Sequence, residues 1–538
     1  MARTHLLAFF QQLYRDFEEA DASGKSVTAV QDERRTDVSR RDFLKASGGA
    51  VTAAASFAKP VAFLAGKQPR IVIIGGGIAG LNAALVLQDA GYSPTIYEAS
   101  SRIGGRMHSD TTSWENGQVT EHCGELIDST HKTILGLAKR FDIDVADLIG
   151  AEPPQATTTY YFFGQYYLRS QANDDFDHVY QAVKADLNAA GYPTLYNNFT
   201  SAAFVLDNLS VYDWIEDRVE GGHGSKLGQL LDVASTLEFG AETSVQSSLN
   251  LIYLLAFATI PGNFPNLHRS NMRYHMIGGN EQLPRAIAAT LSPGSIQTET
   301  SLTTITKNAD ETYTLGLKRG SSKFTAIADR VILTLPFSVL RNLDYRAAGF
   351  NGVKNTAIQQ LGYGTNAKLH LQFNQRLWNQ PGPWGLSTGS SYSDTGYQNT
   401  WEVTRAQSGP TGILVDYTGG NVGASFTGDS SKPSVVHSYA LQFLSQVAPV
   451  FPGLNSAWNG RATLDTPARS PYLLGSYSYW KKGQYTLIAG AERERSGNCH
   501  FAGEHCSIAF QGQMEGAAEE GARAANEILS DYKAGVFP

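Results

Sequence analysis

A glycine-rich segment, residues 70–106, constrains the fold of this 538-residue chain more than any other stretch. It opens with Ile71 to Ile74, a run of β-branched apolar residues that is typical of a parallel strand buried on both faces. Residues 81–91 then have the composition of a helix. Between the two lies a GxGxxG pattern, formed by Gly75, Gly77 and Gly80. This order predicts a strand, a tight turn and a helix of the α/β class.

The same segment has the parts of a dinucleotide site. The first glycine lets the chain turn, the second lets the backbone approach a pyrophosphate, and the third lets the helix pack closely on the strand. The helix N-terminus offers free N–H groups and a positive dipole end to the phosphates. Thr95 to Tyr97 is predicted as the second strand, and Glu98 follows it, where a carboxylate can accept hydrogen bonds from a ribose.

A second glycine pair, in Arg102-Ile103-Gly104-Gly105-Arg106, adds donors next to the same diphosphate and favours the longer FAD over NAD. The GxGxxG pattern followed by EAxxRxGGR resembles the flavin-containing amine oxidase family, which includes monoamine, polyamine and L-amino-acid oxidases. The resemblance implies an α/β protein in which a Rossmann-like FAD-binding domain is interleaved with a mixed α+β substrate domain. It covers roughly residues 68–530.

By this resemblance we predict the following division of the chain. Residues 1–66 form a leader that we leave out of the fold. The FAD-binding domain comprises residues 67–130, 271–336 and 466–538, and the substrate domain comprises residues 131–270 and 337–465.

The resemblance also implies which residues bind FAD. Gly503 and Glu504 would lie at the diphosphate and ribityl chain, and the helix starting at Met514 would stabilise the reduced ring by its positive end. The complete predicted set is Gly75, Gly77, Ile78, Ala79, Gly80, Glu98, Ala99, Arg102, Gly104, Gly105, Arg106, Glu125, Leu126, Leu302, Gly503, Glu504, Gln513 and Met514.

Two residues are predicted to act in catalysis, Lys368 and Tyr477. In the family a lysine at the position of Lys368 holds a water against the flavin, although a lysine on a half-exposed strand could simply face solvent. Tyr477 matches one wall of the family's aromatic cage, and the second wall falls on Gln513, which is not aromatic. Trp480 could supply another face of the substrate site.

Ser476 stands where monoamine oxidases carry the cysteine that bonds the flavin. Because serine cannot make that thioether, we predict non-covalent FAD.

The resemblance implies oxidative deamination with oxygen as acceptor, giving hydrogen peroxide, and it favours an L-amino acid, possibly a basic one, as substrate. Many L-amino-acid oxidases have an arginine for the substrate carboxylate after the flavin edge, whereas residues 124–128 here are acidic. Glu121, Glu125 and Asp128 could steer a cationic substrate. An oxidase of primary amines or polyamines, a dehydrogenase or desaturase that passes electrons to a carrier, and a non-catalytic flavoprotein remain alternatives.

The composition of the chain argues against several other classes of protein. The net charge is −7, and 17% of residues are charged, without a basic stripe that would suggest nucleic acid. No apolar run reaches the length of a membrane span. Three cysteines without metal-ligand spacing predict neither a disulfide framework nor a metal site. A small-molecule substrate, and possibly a second copy of the chain, are the expected partners.

The N-terminal region carries a further motif. Residues 39–45, SRRDFLK, precede a mildly apolar stretch rich in alanine and glycine, residues 46–66. This pattern resembles the twin-arginine export signal, a route for folded, cofactor-loaded proteins, and implies the export machinery as a partner and a periplasmic or secreted bacterial location. Ser56-Phe57-Ala58 is a candidate cleavage site.

Overall fold

Five parallel strands form the sheet that carries the glycine-rich turn, in the order β21-β13-β1-β2-β9. All four residues of β1 are buried, as the apolar run predicts. A computed structural model describes residues 5–31, 68–256 and 271–536, so the twin-arginine block lies outside the described residues. The strand bounds are β1 Ile71–Ile74, β2 Thr95–Tyr97, β9 Ile296–Gln297, β13 Arg330–Leu333 and β21 Cys499–Phe501.

A second sheet has seven strands in the order β19-β15-β18-β17-β16-β6-β7. Its neighbours are antiparallel except β16 and β6, which run parallel. The bounds are β6 Thr157–Phe162, β7 Gln165–Tyr166, β15 Ala367–Phe373, β16 Ser387–Ser393, β17 Asn399–Glu402, β18 Gly412–Thr418 and β19 Trp458–Asp465.

The described residues also form four smaller sheets. Three antiparallel strands, β10 Thr300–Lys307, β11 Tyr313–Arg319 and β12 Ser322–Ala328, form one of them. Three two-stranded pairs complete the set: β3 Ser109–Asp110 with β4 Thr120–Glu121, β5 Val145–Asp147 with β8 Tyr274–Met276, and β14 Gly362–Tyr363 with β20 Ser478–Tyr479.

Helices cover both sheets. Their bounds are α1 His5–Ser23, α2 Ile78–Asp89, α3 Lys132–Arg140, α4 Arg169–Ala190, α5 Ser201–Asp207, α6 Val211–Arg218, α7 Lys226–Phe239, α8 Ser248–Ala256, α9 Gln282–Thr290, α10 Phe337–Leu340, α11 Gly352–Gln360, α12 Gly420–Ala424, α13 Pro433–Val447, α14 Leu454–Ala457, α15 Gln484–Ile488 and α16 Met514–Lys533. The fold is therefore α/β, as the sequence predicts.

Helix α1 departs from the sequence expectation, which assigns residues 1–66 to a leader outside the fold. Phe10, Leu13 and Tyr14 of α1 are buried among side chains of α4 and α8. Their spacing places them on one face of the helix. Polar residues are frequent elsewhere in this segment, so its sequence does not make the apolar face obvious.

Candidate functional site

A cavity of about 640 Å³ runs from the glycine-rich turn after β1 to the face of the seven-stranded sheet that carries Lys368. Nearly all of the predicted site residues line it: Gly75, Gly77, Ile78, Ala79, Glu98, Ala99, Arg102, Gly104, Gly105, Arg106, Glu125, Leu126, Leu302, Lys368, Tyr477, Gly503, Glu504, Gln513 and Met514. Gly80 and Trp480 are not among its lining residues. Segments far apart in sequence thus meet around one space.

The glycine-rich turn has the geometry that its sequence requires. Gly75 has a φ of +110°, which only glycine adopts readily. A Cβ on Gly80 would lie 2.0 Å from the Gly75 carbonyl oxygen, so this glycine serves close packing and not the cavity wall. The Gly76 N–H donates to Glu98 Oε2 at 2.7 Å, which holds the carboxylate at the start of α2.

The second glycine pair packs against the first turn. The Gly104 N–H donates to the Gly76 carbonyl at 2.8 Å, and Gly105 would place a Cβ 3.3 Å from the Gly77 Cα. Arg102 Nη2 donates to the Gly105 carbonyl at 2.8 Å, so its guanidinium stays beside the turn. The backbone of these glycines and the Arg102 guanidinium therefore line the part of the cavity where a diphosphate would need hydrogen-bond donors.

A buried ion pair joins the N-terminal and C-terminal segments. Arg106 Nη1 donates to Glu504 Oε1 at 2.9 Å and to the Ser476 carbonyl at 2.8 Å. Glu504 also accepts from Ser478 Oγ at 2.7 Å and the Gly512 N–H at 2.8 Å. Burial opposes ionisation of Glu504, but Arg106 and these hydrogen bonds outweigh it and hold the pKa of the carboxyl below its ordinary value.

The long C-terminal helix α16 begins at the cavity. Gln513 is its N-cap residue and Met514 its first residue. His131 Nδ1 accepts from the Asp128 N–H at 3.1 Å, so its Nε2 carries the proton and donates to Gln513 Oε1 at 3.0 Å. Burial lowers the pKa of His131 to about 4, which keeps the ring neutral and fixes the orientation of the Gln513 amide.

Lys368 lies on β15 and points into the protein, not to solvent. Its Nζ donates to Glu125 Oε2 at 2.7 Å and to the Glu121 carbonyl at 3.1 Å. The other oxygen of Glu125 accepts from Trp401 Nε1 at 2.9 Å. One carboxylate thereby positions both an ammonium and an indole in the cavity wall.

Aromatic side chains surround this ion pair. The Tyr417 and Tyr477 hydroxyl oxygens lie 2.7 Å apart, and Tyr477 donates to the Leu237 carbonyl at 2.9 Å. The Trp401 and Tyr417 rings have centroids 5.0 Å apart at an interplanar angle of 60°. Trp401 and Tyr417 line the cavity beside Tyr477, whereas Trp480 packs on Tyr485 and borders a separate, smaller cavity.

Trp401 and Tyr417 line the cavity, but the sequence does not predict them as site residues. Their position follows from strand pairing, because β18 pairs with β15 so that Tyr417 lies opposite Lys368, and β17 pairs with β18. In the sequence, each of them is only an aromatic residue in a strand-like segment after Lys368, and this alone does not indicate a place in the site.

All three acidic residues proposed for steering have structural partners, and those of Glu125 are Lys368 and Trp401. Glu121 is fully buried and accepts from the Asn280 N–H at 2.8 Å, with His275 Nε2 at 2.9 Å. Asp128 accepts from the backbone N–H groups of Thr130, Asn271 and Met272. Of the three, Glu125 is the one whose carboxylate meets the other polar and aromatic groups of the cavity wall.

Comparison with known proteins identifies the class. The model of the flavin containing amine oxidoreductase family matches residues 78–529, and the chain belongs to this family. Its cofactor is accordingly FAD, and the turns, the two helix N-termini and the cavity described above fit that group. A model of the twin-arginine translocation pathway signal sequence matches residues 37–58.

Individual relatives differ in what they act on. The L-amino-acid oxidase of Mus musculus is 25% identical over 502 residues, 87% of this chain and 71% of its own. The pseudooxynicotine dehydrogenase of a Pseudomonas species is 22% identical over 472 residues, 86% of each chain. The solved structure of cyclohexylamine oxidase from Brevibacterium oxydans shares the fold, with a TM-score of 0.72, 19% identity and coverage of 87% of this chain and 100% of its own.

None of the helices in residues 5–31, 68–256 and 271–536 is long and apolar enough to cross a membrane. Within the same ranges, histidine, cysteine and acidic side chains form no group of three or more that could hold a metal ion.

Proposed function

We propose that this protein is an oxidase that deaminates an L-amino acid, possibly a basic one, with FAD as the electron acceptor and oxygen as the final oxidant. The observation that carries the proposal is the Glu125–Lys368 ion pair, which shares one cavity with the glycine turns that fit FAD. When bound, FAD would take a hydride equivalent from the carbon bearing the amine. Hydrolysis of the imine then yields a 2-oxo acid and ammonia, and oxygen is reduced to hydrogen peroxide.

The chain's own residues would bind the substrate and exclude water. Trp401, Tyr417 and Tyr477 present apolar ring surface around the reacting amine, and their polar atoms are already bonded within the protein. Lys368 and Glu125 place opposite charges side by side, as do the carboxylate and ammonium of an amino acid. We infer that Lys368 holds a water or the substrate in position next to the flavin.

Amines without a carboxylate are the second candidate. Among the described residues that line the cavity, the arginines are Arg102 and Arg106, and both donate to partners beside the glycine turns. Neither offers the substrate region the arginine fork that suits a carboxylate. The similarity to cyclohexylamine oxidase supports this candidate, and that to mouse L-amino-acid oxidase supports the first.

Matched substrate pairs separate the two candidates. L-lysine and cadaverine, or L-phenylalanine and phenethylamine, differ only by the carboxylate. Peroxide release under air is measured for each compound with the purified holoenzyme. We expect kcat/KM to be at least about tenfold higher for the amino acid of a pair, equivalent to one charge-assisted hydrogen bond. The opposite ranking would favour an amine oxidase.

The electron acceptor is tested in the same preparation. Anaerobic bleaching of the flavin by a substrate that releases peroxide under air supports the oxidase. Bleaching by a substrate that gives no peroxide under air would indicate a dehydrogenase, as in the relative named pseudooxynicotine dehydrogenase. A flavin that no amine or amino acid bleaches would indicate a non-catalytic flavoprotein.

We further propose that FAD is bound non-covalently and that the protein acts in the periplasm or outside the cell. Ser476 Oγ donates to Asn366 Oδ1 at 2.7 Å, so the residue at the flavin-bonding position of monoamine oxidases is a hydrogen-bonded hydroxyl. Acid precipitation should release the yellow colour into the supernatant. Colour retained in the pellet would contradict this assignment.

A further inference from the structure

His122 lies in the wall of the main cavity, directly after β4. Its Nδ1 is 2.7 Å from Oδ1 of Asp465, the last residue of β19. Because a carboxylate accepts hydrogen bonds, Nδ1 carries the proton and the lone pair of the neutral ring is on Nε2. Nε2 has no hydrogen-bond partner among the described residues, and 25% of the side chain is exposed. This nitrogen can therefore exchange a proton with a molecule in the cavity.

Strand pairing places the His122–Asp465 pair beside Lys368. In the register of β15 and β19, Asp465 lies opposite Lys368, so the two side chains leave the same face of the sheet. Lys368 Nζ also donates to the carbonyl of Glu121, the residue before His122, at 3.1 Å. Two independent contacts thus hold the pair next to the ammonium that we infer to position a water or the substrate.

A second histidine, His370, lies near Asp465 but does not compete with His122. Its Nδ1 is 4.0 Å from Asp465 Oδ2, which is beyond hydrogen-bond distance. Burial lowers the pKa of His370 well below its ordinary value, so this ring stays neutral. Of the two histidines near Asp465, His122 is therefore the one that can take up a charge.

A third histidine, His108, covers one face of the His122 ring. The two rings stack with centroids 4.1 Å apart and an interplanar angle of 28°. Burial and the charges of His122 and Arg102 lower the pKa of His108 to about 4. His108 therefore stays neutral when His122 is charged.

The surroundings of His122 give it the proton affinity of a base that works near neutral pH. Burial favours its neutral form, but the hydrogen bond and charge of Asp465, with the charges of Asp110 and Glu121, outweigh burial and raise its pKa above the ordinary value. A general base is most effective when its pKa is close to the working pH. The ionisable groups around the ring are His108, Asp110, Glu121, Lys368, His370 and Asp465.

We propose that His122, positioned by Asp465, is the proton acceptor of the oxidase, an inference that rests on the proposed function. Through a water held by Lys368, Nε2 takes one proton from the substrate ammonium. This leaves a neutral amine and an imidazolium paired with the Asp465 carboxylate. The neutral amine then loses a hydride equivalent and becomes an imine cation. Oxygen takes up that hydride equivalent together with the proton from Nε2, which gives hydrogen peroxide and returns His122 to its neutral form.

The pH dependence of flavin bleaching tests the acceptor. The rate is measured anaerobically by stopped flow, with a substrate that releases peroxide under air. In the wild type we expect the rate to fall as the pH decreases through a value above 6.5, because a protonated His122 cannot accept a proton. His122→Gln should lose this pH dependence and bleach at least about a hundredfold more slowly at pH 9.

The pH dependence that comes from the substrate's own amine should be the same in both enzymes. The matched control is His178→Gln, at an exposed histidine of α4, which should keep the wild-type profile. An unchanged profile in His122→Gln would overturn the proposal.

The positioning role of Asp465 has its own signature. Asp465→Asn removes the charge that stabilises the imidazolium, so the acid side of the profile should move to lower pH. Asp465→Glu keeps the charge and should restore most of the shift. A slower Asp465→Asn enzyme whose profile has not moved would contradict this role, because a purely structural loss does not change the proton affinity of His122.

Titration of the histidine rings by nuclear magnetic resonance tests the pair without turnover. In the holoenzyme, the signal that is absent from His122→Gln identifies His122. We expect it to titrate above pH 6.5 in the wild type and at lower pH in Asp465→Asn. Titration at or below 6.5 in the wild type, or at the same pH in both proteins, would overturn the proposal. If no amine or amino acid bleaches the flavin, the proposed function fails, whereas bleaching without a contribution from His122 contradicts this inference alone.

Discussion

Glu125 determines the arrangement of charged and aromatic groups beside the proposed flavin site. Its two oxygens bind different partners, the Lys368 ammonium and the Trp401 indole. Side chains of both ionic partners are only 7% exposed, so water cannot replace either charge. Removing one partner of such a pair leaves an uncompensated buried charge, which costs more than the pair itself contributes.

We expect Glu125→Gln to lower stability by about 3 kcal/mol, because Lys368 would keep a buried charge without its counter-ion. Displacement of Lys368 and Trp401 in the cavity wall should also reduce kcat/KM at least about tenfold. Unfolding in urea and steady-state peroxide kinetics measure the two effects.

Glu311→Gln is the matched control, since it breaks an ion pair of the same 2.7 Å length, with Lys307, at a position where the carboxylate is 57% exposed. This variant should change stability by less than about 1 kcal/mol and leave the kinetics unaltered. A similar loss in both variants would show that burial of the Glu125 pair is unimportant.

Packing between α2 and α16 joins the first and last segments that are predicted to bind FAD. Asn82 Nδ2 donates to the Ala518 carbonyl at 2.7 Å, and Gly521 lies directly against the Ala79 backbone. Both helices begin at the cavity, so their mutual spacing sets where two positive helix ends point.

Gly521→Ala should therefore destabilise the protein and weaken FAD binding together. A Cβ there would lie 2.1 Å from the Ala79 carbonyl oxygen, and the helices must separate to admit it. Overpacking of this kind costs about 1–3 kcal/mol. Thermal unfolding and titration of the apoprotein with FAD give the two measurements.

The control is Gly136→Ala in α3, where an added Cβ meets nothing within 4 Å. Because alanine is the better helix former, this variant should gain about 0.5–1 kcal/mol. If Gly521→Ala also gained stability, close contact of α2 and α16 would be excluded.

A buried histidine links β8 to β4. Burial favours the neutral form of His275, but its hydrogen bond to Glu121 and the charge of that residue outweigh burial and raise the pKa above its ordinary value. The stabilisation is therefore complete below about pH 6.5, the ordinary value, and is lost as the pH rises through the raised value.

We expect His275→Gln to cost about 1–2 kcal/mol more at pH 6 than at pH 9, as measured by urea unfolding at both values. His178→Gln, at an exposed histidine of α4, is the control for loss of an imidazole and should cost less than about 0.5 kcal/mol. A pH-independent cost for His275→Gln would mean that the Glu121 contact does not depend on protonation.

At the level of elements, the sequence predicts the features that depend only on residues close together in the chain. The glycine turns and the α16 helix are read from short patterns whose geometry the backbone enforces, as Gly75 shows by its positive φ. Trp401 and Tyr417 could not be found this way, because their meeting with Lys368 depends on which strands pair. Trp480 is only three residues after Tyr477, but it follows β20, which pairs with β14, and it borders the second cavity.

Considered as a whole, the molecule combines a signal for export with elements that are packed on both sides of it. A twin-arginine motif predicts that the residues before it belong to a leader, so the sequence alone places α1 outside the fold. Its apolar face is recognisable only together with the α4 and α8 side chains that cover it.

Export is the property that the motif itself should control. Arg40→Lys together with Arg41→Lys keeps both positive charges but removes the paired guanidinium groups of SRRDFLK. We expect this variant to accumulate in the cytoplasm as a yellow, active protein, measured by flavin absorbance and peroxide release in cell fractions.

The chain offers a control with the same chemistry, Arg34→Lys with Arg35→Lys, a second arginine pair that lies outside the signal match at residues 37–58. This control should be exported normally. Equal export of both variants would show that charge, and not the twin-arginine motif, directs the protein, whereas loss of flavin in the first variant would mean that residues 40 and 41 contribute to the fold.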